Sequence, residues 1–263
     1  MNLNILTRGR VDRQITYDNL PQKWKDQTTF VVQQGEEALH KYMYPERNLL
    51  VLPKVISNLH QTRQYLLDNV HRGKVVEMDD DIVFSARRTD DPTKFRKMLP
   101  VDFDEMFFKL ENTGLGEYCM SGIVAREGAN RRVEDWLVTT RQMRLHAFNA
   151  DILKGLGVRW DLLRSPGPED FCMLLQLFTK GQSNIVLNEY CQNQGGSNTS
   201  GGVSIYRTLD VHADACEHLA ELFPDFVKVV EKTTKGAWGG ATRKDVVVQW
   251  KRALKAGGGH VPT

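Results

Sequence analysis

The sequence predicts an α/β fold in which a parallel sheet is covered by helices on both faces. In the first 90 residues, short apolar segments with strand character alternate with helical segments. Nearly continuous apolar strands of this kind are typical of a parallel sheet that is buried on both faces. Ligands of such sheets bind beyond the carboxyl ends of the strands, so we expect functional residues where the strands end.

Three strands and a helix are predicted before the chain enters its fourth strand. The three strands share an apolar sequence that ends at polar residues, glycine or proline, and they cover residues 3–7, 28–32 and 49–52. The helix covers residues 58–72, and Ser57 is its expected N-cap. The fourth strand, residues 75–78, is followed directly by an acidic triplet.

Further elements are predicted in the remaining residues. The expected strands are rich in apolar residues and cover 117–126, 136–140 and 185–187. The expected helices carry an apolar stripe at helical spacing and lie within 89–112 and at 169–180 and 211–232. The segment 192–202 contains four glycines among polar residues, which predicts a mobile loop that could close over a ligand.

Composition narrows the classes of protein. A chain of 263 residues with 41% hydrophobic residues can bury a core, and its net charge of +2 creates no general field for nucleic acid, although a local basic groove stays open. The four cysteines form no CxxC pair, so we expect no zinc or redox motif and a reducing, cytoplasmic location. We see neither a signal-peptide pattern nor an apolar stretch of about 18 residues, so no membrane contact is expected.

The acidic triplet Asp79, Asp80 and Asp81 lies between two apolar strand segments. Carboxylates are costly there unless they are paired or bind a metal. Because side chains alternate along a strand, Asp79 and Asp81 are predicted on one side, with Asp80 directed into the structure or toward a nucleoside. Two oxygen ligands suit Mg²⁺ or Mn²⁺, which would hold a nucleotide diphosphate. A solvated acidic turn is the alternative.

Other donor-binding residues are predicted at or near the strand ends. Thr7 ends the first strand, Arg8 and Arg10 follow it, and Gln33 follows the second. An arginine can bind phosphate oxygens through two parallel hydrogen bonds, so Arg8, Arg10 and Arg63 are candidates for contacts to the donor phosphate or base. Arg63 lies on the predicted helix, where an exposed surface position is the more common alternative.

Glu169 and Asp170 begin a predicted helix directly after a proline. Acidic residues in a first turn complement the helix dipole, which would explain the pair without any function. The functional interpretation makes one of them, preferably Asp170, a general base that removes the proton of an acceptor hydroxyl. His212 and His260 are weaker candidates for a metal ligand.

Together these residues resemble the nucleotide-sugar glycosyltransferases of GT-A type, and more narrowly the TET-associated glycosyltransferases of tailed bacteriophages. Besides the triplet, four downstream segments carry the resemblance: PEDFCMLLQLFTKG (168–181), NEYCQNQGGSNTSGGVSIYRT (188–208), LFPDFVKVVEKTTKGAW (222–238) and RKDVVVQWK (243–251). The resemblance implies a GT-A type Rossmann-like mixed sheet flanked by helices. It also implies one glycosyltransferase domain over residues 1–263, with a nucleotide-binding half at 1–90 and an acceptor-binding half at 91–263.

The resemblance implies that a sugar moves from a nucleotide diphosphate donor, expected to be a UDP-sugar, to a hydroxyl of a modified pyrimidine in DNA, such as hydroxymethylcytosine. A phage-encoded enzyme of this kind would work in the host cytoplasm. Asp79 and Asp81 would be the DxD metal motif, and Asp170 the base of an ED motif that includes Glu169. The implied acceptor-binding residues are Ser121, Gly122, Gly202, Tyr206 and Arg207.

One departure from the family pattern leaves metal dependence open. Related enzymes often supply a third metal ligand, commonly histidine, after the strand that follows the ED helix. Here that neighbourhood reads Cys191, Gln192 and Asn193. The alternatives are a glycosyltransferase with a non-DNA acceptor, a metal-dependent phosphohydrolase or nuclease, and a non-catalytic binding module.

Overall fold

The structure is a computed structural model that describes residues 1–131, 134–194, 201–233 and 240–260. Within these residues, a large mixed sheet is flanked by helices, and a separate two-stranded sheet lies near the carboxyl end. This arrangement confirms the predicted α/β class and the mixed sheet flanked by helices.

The strands and helices are named in chain order. The strands are β1 (Asn2–Leu6), β2 (Thr28–Val32), β3 (Asn48–Val51), β4 (Lys74–Asp79), β5 (Ile82–Arg87), β6 (Phe95–Lys97), β7 (Met120–Ala125), β8 (Trp136–Val138), β9 (Leu145–Asn149), β10 (Asn184–Gln194), β11 (Val227–Thr233) and β12 (Thr242–Val248). The helices are α1 (Ile15–Asn19), α2 (Gln22–Lys25), α3 (Glu37–Met43), α4 (Leu59–Tyr65), α5 (Pro100–Lys109), α6 (Leu115–Glu117), α7 (Ala150–Gly155), α8 (Glu169–Phe178), α9 (Leu209–Leu222) and α10 (Trp250–Ala256).

The large sheet has the strand order β3-β2-β1-β4-β9-β7-β10-β5-β6, and β8 pairs with β10. The four strands β3, β2, β1 and β4 are mutually parallel, as the sequence predicts. The strand β9 runs antiparallel to both of its neighbours, β4 and β7. The pairs β4–β9 and β5–β10 join residues on both sides of position 90, so one sheet connects the two predicted halves.

Both faces of the sheet are buried. On β4, Val75 packs in the core cluster that contains the apolar side of α8, whereas Val76 packs in the cluster that contains Phe103 and Phe107 of α5. Adjacent strand residues point to opposite faces, so a strand covered on both sides must be apolar at consecutive positions. The near-continuous apolar character of β4 therefore reflects its central place in the sheet.

Two predicted elements have different boundaries in the structure. Asn58, not Ser57, is the N-cap of α4, because its side chain accepts a hydrogen bond from the amide of Gln61 at 3.0 Å. The helix predicted over 211–232 ends at Leu222, and residues from Val227 onward form β11 instead. That strand pairs with β12, a partner too distant in sequence for a local pattern to reveal.

The glycine-rich segment predicted as a mobile loop lies only partly within the described residues. Its first part, Gln192–Gln194, belongs to β10, and residues 195–200 lie outside the described ranges. Gly201 precedes a short helical turn that begins at Gly202 and ends at Ile205. Among the described residues, no helix is long and apolar enough to cross a membrane. All four cysteines are buried free thiols.

Candidate active site

The ends of three parallel strands meet in one pocket, as the sequence predicts. The residues that line it come from the ends of β1, β2 and β4, from the start of α4 and from the region after β10; they are Leu6, Thr7, Arg8, Arg10, Val31, Gln33, Asn58, Leu59, Thr62, Asp79, Asp80, Asp81, Gln194, Gly202, Val203 and Tyr206. Every donor-binding residue predicted at a strand end is in this lining. We refer to this cavity as the strand-end pocket.

The buried Thr16 holds the backbone of the acidic triplet. Its hydroxyl donates to the carbonyl of Asp79 at 2.5 Å and accepts from the amide of Ile82 at 2.8 Å. Its own amide donates to the carbonyl of Asp80 at 3.0 Å. These bonds fix the turn between β4 and β5, so three adjacent carboxylates keep defined directions.

Asp80 points into the structure, which is one of the two directions predicted for it. Its carboxylate accepts hydrogen bonds from the hydroxyl of Thr7 at 2.7 Å and from Nη1 of Arg10 at 2.6 Å. Gln14 supports both donors, because its amide group donates to the Thr7 hydroxyl at 2.8 Å and to the Arg10 carbonyl at 2.7 Å. Burial nevertheless raises the pKa of Asp80, against the opposing effect of Arg10.

Asp79 and Asp81 line the same pocket, but different groups hold them. Asp79 is 29% exposed and accepts a hydrogen bond from Nη2 of Arg63 at 3.2 Å. Asp81 accepts from Nη1 of Arg10 at 2.9 Å and from the side-chain amide of Gln194 at 3.5 Å. Burial raises the pKa of Asp79 to about 7, and the charge of Asp81 acts in the same direction, although Arg63 opposes the shift.

The donor groups suit a divalent cation that is shared with a substrate. The strand-end pocket is lined by three carboxylates and two guanidinium groups. Mg²⁺ is usually held by one or two carboxylates together with substrate phosphates and water, and not by a cage made only of protein ligands. In the described ranges, no group of three or more His, Cys, Asp or Glu residues could hold a metal ion. The chemistry of Asp79 and Asp81 therefore fits a cation completed by a diphosphate.

Neither of the two histidines considered as metal ligands lines the strand-end pocket. Nε2 of His212 is 3.7 Å from the sulfur of Cys216, and burial lowers the pKa of His212 to about 4, with Arg207 and Arg243 acting in the same direction. His260 is exposed near the carboxyl end and lines none of the cavities described here.

Arg63 connects the acidic triplet with the ED pair. The surface position considered for it is wrong, because the side chain is only 1% exposed. It pairs with Glu77 at 2.5 Å and with Asp79 at 3.2 Å, and its Nε lies 3.9 Å from the carboxylate of Glu169. One arginine of α4 thus lies between carboxylates of both motifs, and it stacks near the ring of Trp160 at 5.1 Å.

Glu169 and Asp170 begin α8 at the wall of a second, wider cavity of about 540 Å³. Burial opposes ionisation of Glu169, but the hydrogen bond and charge of His60 and the charge of Arg63 outweigh it and lower the pKa of Glu169. For Asp170, burial raises the pKa, and the charge of Glu169 adds to this effect while Arg141 opposes it. Their surroundings therefore shift the pKa values of these two neighbouring acids in opposite directions.

Part of the predicted acceptor site lies at the boundary of the two cavities. Gly202 lines the strand-end pocket, Arg207 lines the wider cavity, and Tyr206 lines both. The Tyr206 hydroxyl accepts a hydrogen bond from the amide of Leu59 at 3.0 Å, which fixes the tyrosine against the start of α4.

The structure does not bring Ser121 and Gly122 to either cavity. Ser121 is fully buried on β7, where its hydroxyl donates to the carbonyl of Leu110 at 3.1 Å. Gly122 leaves space for the side chain of Gln142, whose Cγ would lie 2.7 Å from an added Cβ. Their smallness serves packing of the sheet, so the acceptor contacts implied for these two residues find no support.

Several site residues were not predicted from the sequence. His60 lies 3.6 Å from Glu169, Arg141 lies 3.4 Å from Asp170, and Gln194 contacts Asp81. His60 is one residue after the start of a helix whose first turn faces the strand ends, which is a usable signal. Arg141 and Gln194 reach the site only because distant strands pair, so no local pattern marks them.

A family model described as TET-Associated Glycosyltransferase matches residues 1–202 of the chain. A search of the curated proteins finds no significant match.

Solved structures with similar folds include three that contain nucleotides. S. aureus TarS 1-349 in complex with UDP-GlcNAc has 14% identity and a TM-score of 0.49, and the match covers 84% of this chain and 66% of that one. GalNAc-T7 with UDP, GalNAc and Mn²⁺ has 9% identity, a TM-score of 0.48 and coverages of 85% and 48%. Glucosyl-3-phosphoglycerate synthase from Mycobacterium tuberculosis, with Mn²⁺, UDP and glucosyl-3-phosphoglycerate, has 10% identity, a TM-score of 0.47 and coverages of 94% and 87%. The chain therefore spans just under two thirds of the TarS fragment and about half of GalNAc-T7.

Proposed function

The chain belongs to the TET-associated glycosyltransferase family and is a glycosyltransferase; from this premise we propose that it moves a sugar from a nucleotide diphosphate to a hydroxyl of a modified pyrimidine in DNA. A hydroxymethylcytosine-type base is the proposed acceptor, and a UDP-sugar with Mn²⁺ or Mg²⁺ is the proposed donor complex. The free state of all four cysteines fits work in a reducing cytoplasm.

One observation carries the proposal: the pocket with the acidic triplet and the cavity with the ED pair share a wall. Asp79, Gln194 and Tyr206 line both cavities. A donor whose diphosphate lies at Asp79 and Asp81 could therefore direct its sugar into the wider cavity, where Asp170 lies. Transfer between two substrates requires such an arrangement, because both reacting atoms must be held in contact.

The chain's own residues can assist both bonds that change. Asp170 is ionised above its raised pKa and accepts the proton of the acceptor hydroxyl as that oxygen attacks the sugar. A divalent cation at Asp79 and Asp81 would supply positive charge that stabilises the departing diphosphate. Arg8 lines the pocket, where its guanidinium can reach donor phosphate, and its position over the Tyr206 ring at 5.7 Å keeps it at the boundary of the two cavities.

The size of the wider cavity fits a single nucleotide and not an intact duplex. Its volume of about 540 Å³ lies within the usual range of ligand sites, which is about 300–1,000 Å³. The Asp170 side chain is only 11% exposed, so a base must leave its stack to bring a hydroxyl to that carboxylate. The arginines Arg141, Arg144 and Arg207 in the lining can pair with phosphates of the acceptor strand.

Mass spectrometry of nucleosides tests this function directly. DNA that contains hydroxymethylcytosine, and matched DNA that contains only cytosine, would be incubated with the protein, Mn²⁺ and UDP-glucose, UDP-N-acetylglucosamine or GDP-mannose, and then digested to nucleosides. We expect a hexose or N-acetylhexosamine adduct on the modified base alone, and none with the Asp170→Asn variant. Absence of any adduct with every donor, under conditions where a nucleotide and Mn²⁺ stabilise the protein, would refute the DNA acceptor but not the donor site.

A further inference from the structure

The Arg10 guanidinium is the cationic group closest to the acidic triplet. Nη1 of Arg10 lies 2.6 Å from the carboxylate of Asp80 and 2.9 Å from that of Asp81. All three side chains are nearly buried, so water screens the pairs only weakly. Arg10 therefore contacts Oδ2 of Asp81, one of the two carboxylate oxygens that a divalent cation could use.

Arg10 also contacts Gly201 and Gly202. Its Nη2 donates to the carbonyl of Gly201 at 3.3 Å, and the amide of Gly202 donates to the carbonyl of Arg8 at 2.9 Å. An added Cβ would lie 2.7 Å from Cγ of Arg10 at Gly201 and 3.2 Å from its Cζ at Gly202. Both glycines have positive φ angles, +88° and +62°, which side chains disfavour. The two glycines allow this segment to pack directly on the arginine.

We propose that Arg10 is a resident counter-cation that competes with the divalent ion for Asp81 and moves to the donor diphosphate when that ion binds. This inference rests on the proposed donor site. The Arg10 guanidinium and a divalent ion would repel each other strongly on one carboxylate oxygen. The diphosphate offers the displaced guanidinium a new anionic partner. Because the guanidinium also binds the Gly201 carbonyl, its movement releases Gly201 and Gly202 at the boundary of the two cavities. Arg10 is thus a positioning residue that couples loading of the donor to this segment.

Competition between Arg10 and Mn²⁺ for Asp81 changes the affinity of the protein for Mn²⁺. In the absence of nucleotide, Mn²⁺ must displace Arg10 with nothing to receive it, so Mn²⁺ alone binds weakly. With UDP present, the diphosphate receives Arg10, so each ligand strengthens the binding of the other by the same factor. Neutralising Arg10 removes the competitor and must tighten the binding of Mn²⁺ alone, which damage to the fold would not do.

Calorimetric titration of Mn²⁺ without nucleotide tests the competition. We expect Arg10→Gln to bind Mn²⁺ about tenfold more tightly than the unaltered protein, since a neighbouring unit charge changes the proton affinity of a carboxylate by about 10- to 1,000-fold. The factor by which UDP tightens Mn²⁺ binding should fall in the same variant. Arg96→Gln is the matched control: Arg96 pairs with Asp102 and lines neither the strand-end pocket nor the wider cavity, so the Mn²⁺ affinity of this variant should equal that of the unaltered protein.

Equal or weaker Mn²⁺ binding by a folded Arg10→Gln variant would overturn the inference. If that variant does not fold, hydrogen exchange in the unaltered protein decides: saturating Mn²⁺ should accelerate exchange of the Gly202 amide, and an unchanged rate overturns the proposal. The result is separable from the proposed function. Transfer of sugar to DNA with no gain of Mn²⁺ affinity in Arg10→Gln removes this inference alone, and the gain without transfer removes the acceptor assignment alone.

Discussion

The strand-end pocket and the wider cavity pair aspartate with arginine at different distances. In the pocket, Asp80 and Asp81 lie 2.6 and 2.9 Å from one buried guanidinium. In the cavity, Asp170 has a half-exposed partner, Arg141, at 3.4 Å, and burial raises its pKa. Burial raises the pKa of Asp80 as well as that of Asp170, so the two regions differ in how closely arginine pairs with the carboxylate and not in the direction of the shift. We propose cation binding for the closely paired carboxylates and proton transfer for the loosely paired one.

Asp170→Asn tests the cavity side of this comparison and has the largest expected effect. Asparagine cannot accept the proton of the acceptor hydroxyl, so we expect the turnover rate to fall about 100- to 10,000-fold. Binding of UDP with Mn²⁺ should be unchanged, because the donor lies in the other cavity. Asp90→Asn alters an exposed aspartate that pairs with Arg88 and is the control for both measurements. Unchanged turnover would remove Asp170 from the role of base.

Arg63→Met tests how strongly the buried arginines hold the carboxylates. Removing this guanidinium leaves Glu77 and Asp79 without their buried partner, which should lower the free energy of unfolding by about 3–5 kcal/mol. Arg141→Met is the matched change in the cavity, where Arg141 is 47% exposed and its pair with Asp170 should contribute about 1 kcal/mol or less. Urea unfolding of both variants gives the two values, and similar losses would contradict the difference between the regions.

Asp81→Asn tests the pocket as a cation site. The variant keeps the shape of the side chain but removes the charge that Arg10 and a divalent ion would share, so Mn²⁺ should no longer strengthen the binding of UDP. We expect the affinity for the UDP–Mn²⁺ pair to fall about 10- to 100-fold, comparable to the loss when groups supporting a metal are altered. Titration of UDP with and without Mn²⁺ measures this, and an intact Mn²⁺ dependence would exclude Asp81 as a ligand.

Arg141→Gln tests the environment of Asp170 through the pH dependence of the turnover rate, and it has the smallest expected effect. Asp170 must be ionised to accept a proton, so the turnover rate should rise with pH through the pKa of Asp170. The charge of Arg141 lowers that pKa, and its loss should move the rising limb to higher pH, by about one unit or less for a half-exposed partner. At pH values above the rising limb, the variant and the unaltered protein should have equal turnover rates. A limb that moves to lower pH would show that Asp170 is not the titrating group.

The first half of the chain was more predictable than the second, because short local patterns in the sequence mark its strands. The strands β1, β2 and β4 and the residues after them follow from short apolar runs and their endings, and all their predicted donor residues line one pocket. The proline and the apolar spacing after it placed Glu169 and Asp170 at the start of a helix, where they are found. By contrast, β11 was predicted as part of a helix, and the packing roles of Ser121 and Gly122 depend on Leu110 and Gln142, which no sequence pattern connects to them.

The amino-acid sequence by itself determined the α/β class, the parallel strands of the first half, the positions of both acidic motifs and the resemblance to the family. These depend on periodicity, turn residues and short motifs, which act over a few neighbouring residues. Only the tertiary structure decided which arginine faces each carboxylate. Arg10 meets Asp80 and Asp81 across some seventy residues of chain, and Arg63 lies between two motifs about ninety residues apart. Burial and the pairing of distant strands set those partners, and with them the different charges and proton affinities of the acids.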